Sequence, residues 1–144
     1  MDKQVEHHQL TAIVNDMPRE AVRELLELAE NAPIHIISTP KAGLTMMHVL
    51  DAFDSEFLLG EVLVSQAEVM LNGERGFAMV TGDEPERSLA RASADVILKT
   101  GDDLLRARVY KLLLREQEEL NHRRRDEERL IAGTKVNFDL MPGS

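Results

Sequence analysis

The sequence predicts one α+β domain over residues 1–144, with helices at both ends and an antiparallel sheet between them. Apolar residues recur with helical spacing before residue 32 and after residue 85. Between these stretches, β-branched residues occur in short runs that are typical of strands. Asn72-Gly73 separates two such runs and strongly favours a hairpin, because a type I′ turn needs positive φ at both central residues.

The chain is predicted to begin with a helical hairpin. Residues 3–14 form a modest amphipathic helix, which Asn15-Asp16-Met17-Pro18 interrupts. We expect Asp16 to cap the second helix, with Pro18 in its first turn. That helix is expected to end before Pro33, since a proline disfavours helical conformation in the preceding residue.

An antiparallel meander of about four strands is predicted next. The predicted strands are residues 34–39, 44–50, 57–71 and 76–80, with Pro40-Lys41-Ala42-Gly43 as the first turn. Gly60-Glu61 interrupts the third strand. Glycine there indicates a bulge or a close backbone approach, and a buried Glu61 would then need a partner. A strand edge that faces water explains the pair equally well.

Two C-terminal helices and an apolar tail complete the predicted fold. Asp83 and Glu86 have capping-box spacing for a helix that ends near Gly101, and Asp102 is expected to cap the last helix, to about Ile131. Residues 116–129 are nearly all polar, so this part of the helix projects into solvent or lies against a partner. The apolar tail from residue 133 is expected to dock, on its own sheet or on a neighbour.

Composition excludes several classes of function. The net charge of −9 disfavours nucleic acid and anionic membrane surfaces as partners. The absence of cysteine excludes disulfides, thiolate catalysis and cysteine-bound metal. No run of about 18 apolar residues is present. The first residues lack the apolar segment of a secretory signal, so a cytoplasmic location is expected.

No motif for a phosphate loop, a nucleophile elbow or a helical zinc pair occurs, and we expect no cofactor or metal of the chain's own. His7-His8 and His122, with Glu118 and Asp126 four residues away, are better explained as surface side chains than as metal ligands. His35 and His48 are expected on strands, where they can meet as structural residues. Arg123-Arg124-Arg125 can bind a phosphate, but its acidic neighbours favour a solvated helix face.

An ordered series of short motifs resembles the PhnG family. The series comprises Gly60-Glu61, Ala67-Glu68-Val69, Gly73-x-x-Gly76, Gly82 opening a helix with Ala92 and Asp95, and Thr134-Lys135-Val136-x-Phe138-x-x-Met141. The resemblance runs from about residue 34 to residue 141. It implies a subunit of the bacterial carbon–phosphorus lyase core complex, with PhnH-, PhnI- and PhnJ-like subunits as partners.

The resemblance also implies a reaction of the assembled complex. A phosphonate such as methylphosphonate displaces adenine from the co-substrate ATP and gives α-D-ribose 1-methylphosphonate 5-triphosphate, with the chemistry mainly in the PhnI-like subunit. The chain itself is acidic and lacks a convergent basic site for a triphosphate, so it is not expected to act alone. Glu61, Arg123 and Lys135 are the candidates for substrate contact.

Two other hypotheses remain open from the sequence. An independent enzyme would need a catalytic constellation within the chain, and no strong one is present. A non-catalytic ligand-binding or regulatory module is the second alternative. Exposed apolar segments of an assembly subunit also favour self-association of the isolated chain.

Overall fold

The computed structural model describes residues 9–139, apart from the side chains of residues 59 and 133–139. Residues 9–11 are helical and lead into a 3₁₀ turn, Ala12–Asn15. The remaining elements are α1 (Arg19–Ala29), β1 (His35–Leu50), β2 (Glu56–Leu71), β3 (Glu74–Thr81), α2 (Pro85–Thr100) and α3 (Asp103–Asp139). The predicted α+β class is confirmed. None of the described helices combines the length and the apolar character that a membrane-spanning segment requires.

The sheet is an antiparallel meander in the order β1-β2-β3. The hairpin at Asn72-Gly73 is confirmed, with φ of +52° and +83° at its two central residues. The two segments predicted before residue 51 form one continuous strand, β1, so the turn expected at Pro40-Lys41-Ala42-Gly43 is wrong. The register shifts between Ser38 and Lys41 instead, on an edge strand, where a proline that cannot donate a hydrogen bond is tolerated.

Helix α2 is the centre of the core. It packs against β2 and β3 on one side and against α1 and α3 on the other. Small residues allow this close approach: a Cβ added at Gly76 on β3 would lie 2.5 Å from the carbonyl oxygen of Ala92. Gly76, Ala78 and Val80 alternate on the covered face of β3. The sheet therefore has one face buried under α2.

Two of the three predicted helix caps are wrong. Pro18, rather than Asp16, occupies the N-cap of α1, and Glu84, rather than Asp83, occupies that of α2, each without a side-chain cap. The Glu84 N–H instead donates to the hydroxyl of buried Ser65, at 2.7 Å. The third prediction is confirmed, because Asp102 Oδ1 accepts a hydrogen bond from the Leu105 N–H at 2.8 Å.

Helix α3 packs on the core only through its first part. Leu105, Val109, Leu112 and Leu113 are buried, whereas every side chain from residue 121 to residue 132 is exposed. The polar stretch therefore projects beyond the core, as its composition predicts. The helix continues through Gly133 to Asp139, past the predicted end near Ile131. Leu140 and Met141, in the predicted apolar tail, lie outside the described residues.

Candidate functional site

The most unusual feature is the outer half of the β1–β2 hairpin, residues 43–63, which we call the arm. Strand β3 pairs with β2 only between Val64 and Leu71, so the arm is two-stranded over its whole length. No described side chain of the arm is buried. An isolated two-stranded hairpin is marginally stable in water, so an exposed arm of this length is a candidate interaction surface.

One face of the arm continues the face of the sheet that α2 covers. Ser65 lies on the covered face, since its buried hydroxyl bonds the loop that precedes α2. Side chains two residues apart on a strand share a face, as do directly paired residues. Five large apolar side chains therefore follow one another along this face: Leu44, Met46, Leu50, Leu58 and Leu63. We call these five exposed side chains the arm strip.

The tip of the arm is an ordered turn that presents an aromatic ring. Asp51 Oδ1 accepts hydrogen bonds from the N–H groups of Phe53 and Ser55, at 2.8 and 2.9 Å. Asp54 takes a positive φ of +58°. Side-chain bonds of this kind stabilise tight turns locally. Phe53 is 88% exposed at the tip, where its ring is available to a partner.

Acidic residues border the arm strip. From Ala42 to Ser65 the chain has four acidic residues, Asp51, Asp54, Glu56 and Glu61, and no Lys or Arg. Glu61 is paired with Met46, and Glu56 is paired with Leu50, so both carboxylates lie on the face of the strip. His48 Nδ1 is 2.9 Å from Glu56 Oε1. The surface is therefore apolar with a negative border.

The two candidate site residues whose side chains the structure describes, Glu61 and Arg123, lie on different elements. Glu61 is exposed on the arm, Arg123 is exposed on the outer part of α3, and the Lys135 side chain lies outside the described residues. Gly60 has a φ of +115°, and Met47 pairs with Gly60 while His48 pairs with Leu58, so the predicted bulge is confirmed. The carboxylate beside it faces water. A buried Glu61 is therefore the wrong alternative.

The histidines and the arginine triplet behave as surface residues. His35 and His48 lie on the same strand, so the prediction that they meet across the sheet is wrong. His122 Nδ1 is 3.7 Å from Asp126 Oδ2 on an exposed face. Arg124 approaches Asp16 at 3.9 Å, and Arg125 donates to the Asn121 carbonyl oxygen at 3.4 Å. His7 and His8 lie outside the described residues.

A polar cleft of about 380 Å³ lies between the beginnings of α1 and α2. Its arginines, Arg19, Arg23 and Arg87, are matched by acidic neighbours at positions 83, 84 and 86. Arg87 is also engaged, because its Nη1 donates to the carbonyl oxygens of Val14 and Met17. Among the side chains that the structure describes, no three of His, Asp or Glu are placed to share a metal ion. The cleft is therefore not a convergent cationic site for a triphosphate.

Sequence reasoning missed the arm as a functional feature. The signal in the sequence is a strand with large apolar residues on both of its faces, as at Leu44, Met46, Met47 and Leu50. The sequence analysis predicts this run as a strand and gives it no functional role. In the described part of the chain the sheet has three strands, and α2 covers one of its faces. The sheet therefore cannot bury all of these apolar side chains.

Comparison with known families identifies a match over nearly the whole chain. The model of the family described as "Phosphonate metabolism protein PhnG" matches residues 6–143. The matched region includes the arm, all three strands and all three labelled helices. A search of curated protein sequences finds no significant match to the chain.

Proposed function

The chain belongs to the PhnG family of phosphonate metabolism proteins, and on this premise we propose that it is a subunit of a carbon–phosphorus lyase complex. With PhnH-, PhnI- and PhnJ-like subunits it serves the transfer of a phosphonate onto ATP. Adenine is displaced, and methylphosphonate gives α-D-ribose 1-methylphosphonate 5-triphosphate. The proposed location is the cytoplasm.

The exposed arm carries the subunit proposal. A strip of five apolar side chains and an exposed phenylalanine is a surface of the kind that protein partners cover. The family role and the arm therefore support the same conclusion, that the chain functions within an assembly.

The proposed reaction requires groups that the partners supply. Displacement at an anomeric carbon develops positive charge on the sugar, and the triphosphate and the phosphonate require cations. Most described arginines of this chain lie beside carboxylates or are exposed on α3, and Arg91 on α2 donates to the side-chain oxygen of Asn15. We therefore assign an accessory role to the chain, with ATP and phosphonate bound mainly by other subunits.

A ligand-binding or regulatory module is the second candidate. It is favoured by an apolar groove of about 440 Å³ between the end of α1, the beginning of β1 and α2. Leu26, Ile34, Ile36 and Leu89 line this groove. Binding of ATP or methylphosphonate to the isolated chain, measured by calorimetry, would favour this alternative over the accessory role.

The proposal is tested by reconstitution. The chain is co-expressed with PhnH-, PhnI- and PhnJ-like subunits from the same source, and the complex is purified through a tag on the PhnI-like subunit. Adenine release from ATP is then measured with methylphosphonate. The proposal expects co-purification and a loss of activity when this chain is omitted. Full activity without the chain, or turnover by the chain alone, would contradict it.

A further inference from the structure

We propose that the arm strip docks onto an apolar surface of a partner chain that is bordered by lysine or arginine side chains. This inference rests on the proposed function, because it names the kind of surface that the assembly presents to the arm. It does not depend on which reaction the assembly carries out.

The apolar part of the surface follows from the exposed side chains. Leu44 and Leu50 are each 66% exposed and lie at opposite ends of the strip, which continues the covered face of the sheet and has His48 and Glu61 among its apolar side chains. Burial of apolar area is the main driving force of association, so the matching surface is apolar. The partner would then cover the arm on the same face of the sheet that α2 covers in the body of the protein.

The charged part follows from the border of the strip. Asp51, Asp54, Glu56 and Glu61 all belong to the arm, and no Lys or Arg lies between Ala42 and Ser65. A second copy placed strip against strip would bring two negatively charged surfaces together, and like charges across an interface oppose association. A partner with basic residues around an apolar centre removes this repulsion. A second copy of the chain is therefore the poorer occupant.

The tip of the arm is held by local hydrogen bonds. Strand pairing continues past the Gly60 bulge to Leu50 and Glu56, and the hydrogen bonds of Asp51 fix the tip that carries Phe53. Pre-organised surfaces lose less conformational entropy on association. An exposed aromatic side chain on such a surface is typical of the residues that dominate binding energy.

Two adjacent methionines provide a matched test. Met46 lies on the face of the strip and Met47 on the opposite face, and they are 51% and 38% exposed. The variants Met46→Ser and Met47→Ser are each mixed with the purified remaining subunits, and the dissociation constant is measured by biolayer interferometry. Both variants should melt like the wild type, because both side chains are exposed.

The proposal expects Met46→Ser to weaken binding by about tenfold, as for loss of a buried side chain at an interface centre, and Met47→Ser by less than about threefold. Equal effects of the two variants would overturn it. If the remaining subunits are insoluble alone, the yield of co-purified chain from co-expression replaces the dissociation constant, with the same expected contrast.

The charge of the partner is tested with Glu61→Lys, and Glu27→Lys on α1 serves as a control with the same change in net charge. The proposal expects Glu61→Lys to slow association several-fold at low salt, with a smaller difference in 0.5 M NaCl, because screening shortens the reach of surface charges. Glu27→Lys should have little effect. An unchanged or faster association of Glu61→Lys would overturn the basic border.

The two proposals fail in different ways. If the complex forms and Met46→Ser does not weaken it, the docking surface is wrong and the subunit role stands. If Met46→Ser weakens a complex that releases no adenine, the docking surface stands and the proposed reaction is wrong. Sedimentation of the isolated chain tests the alternative occupant. If the chain forms a dimer that Met46→Ser abolishes, the strip binds a second copy and the inference is overturned.

Discussion

Met46 on β1 lies directly opposite Glu61 on β2, so an apolar and an acidic side chain are neighbours on one exposed face. The two residues represent the apolar and the acidic side chains of which this face of the arm consists. The apolar side chain lies in a strip that nothing in residues 9–139 buries, and the carboxylate lies at the border of that strip. A surface with this composition fits a partner that is apolar at its centre and basic at its edge.

The close packing of β3 on α2 predicts a large effect of Gly76→Ala. The added Cβ would lie 2.5 Å from the Ala92 carbonyl oxygen and 3.1 Å from the Val96 Cβ. Because both neighbours belong to the buried face of α2, the helix must shift, and we expect a loss of about 1–3 kcal/mol in the free energy of unfolding. Urea denaturation measures this loss.

Gly43→Ala is the control for that measurement. No atom lies within 4 Å of the Cβ position at Gly43, and its φ is not positive. The substitution should leave the stability unchanged or raise it slightly, since alanine restricts the unfolded chain. A destabilisation by Gly43→Ala as large as that by Gly76→Ala would show that the packing between β3 and α2 is not the cause.

Ser65 is predicted to be structural rather than catalytic. Its hydroxyl donates to the Gly82 carbonyl oxygen at 2.7 Å and accepts from the Glu84 N–H at 2.7 Å, so it holds the beginning of α2 against the sheet. Ser65→Ala leaves both groups without this partner and should lower the free energy of unfolding by about 1–3 kcal/mol. Ser38→Ala, at an exposed position on β1, should change it little. Adenine release by the assembled Ser65→Ala complex should persist below the melting temperature.

Arg87 is predicted to anchor the N-terminal segment. Its guanidinium donates to the carbonyl oxygens of Val14 and Met17, at 2.8 and 2.5 Å, and its side chain is only 12% exposed. Arg87→Met keeps the apolar stem and removes both donors, with an expected loss of about 1.5–3 kcal/mol. Hydrogen exchange should then increase in residues 13–17. Arg91→Met removes one bond to Asn15 and should increase exchange less.

The Glu24–Arg115 pair predicts a small stability change with pH. Two hydrogen bonds, of 2.7 and 3.2 Å, join the guanidinium to the carboxylate and hold the pKa of Glu24 below its ordinary value. The stabilisation is therefore present above the unfolded pKa near 4.5 and is lost as the pH falls through the folded pKa. Both side chains are about half exposed, so Glu24→Gln should cost less than about 1 kcal/mol at pH 7.

The pH dependence provides the check on this pair. The difference in unfolding free energy between the wild type and Glu24→Gln should disappear at a pH below the folded pKa, where the Glu24 carboxyl is protonated. A constant difference at all pH values would indicate that the substitution acts through packing instead.

The sequence predicted the fold class because its strongest signals are local. Asn72-Gly73 requires positive φ at adjacent residues, and Asp102 bonds an amide three residues away. Each of these structures forms through interactions between residues that are close in the sequence. The failed predictions depend on distant groups: Glu84 bonds Ser65, which lies in another element, and so the expected cap at Asp83 does not form.

The candidate site was less predictable because its recognition also depends on residues that are distant in the sequence. A run such as Leu44-Thr45-Met46-Met47 has the composition of a buried strand, and composition cannot tell burial by the same chain from burial by a partner. The arm is recognised only when the register shows that β3 ends opposite Val64. Lys135 is also a candidate for substrate contact, and its side chain lies outside the described residues.

Adenine release by the reconstituted complex tests the central claim most directly. The complex is assembled with the wild-type chain, with Met46→Ser or without the chain, and is assayed at limiting subunit concentration with ATP and methylphosphonate. The account predicts full activity with the wild type, reduced activity with Met46→Ser that high chain concentration restores, and little activity without the chain. Equal activity in all three assemblies would contradict it.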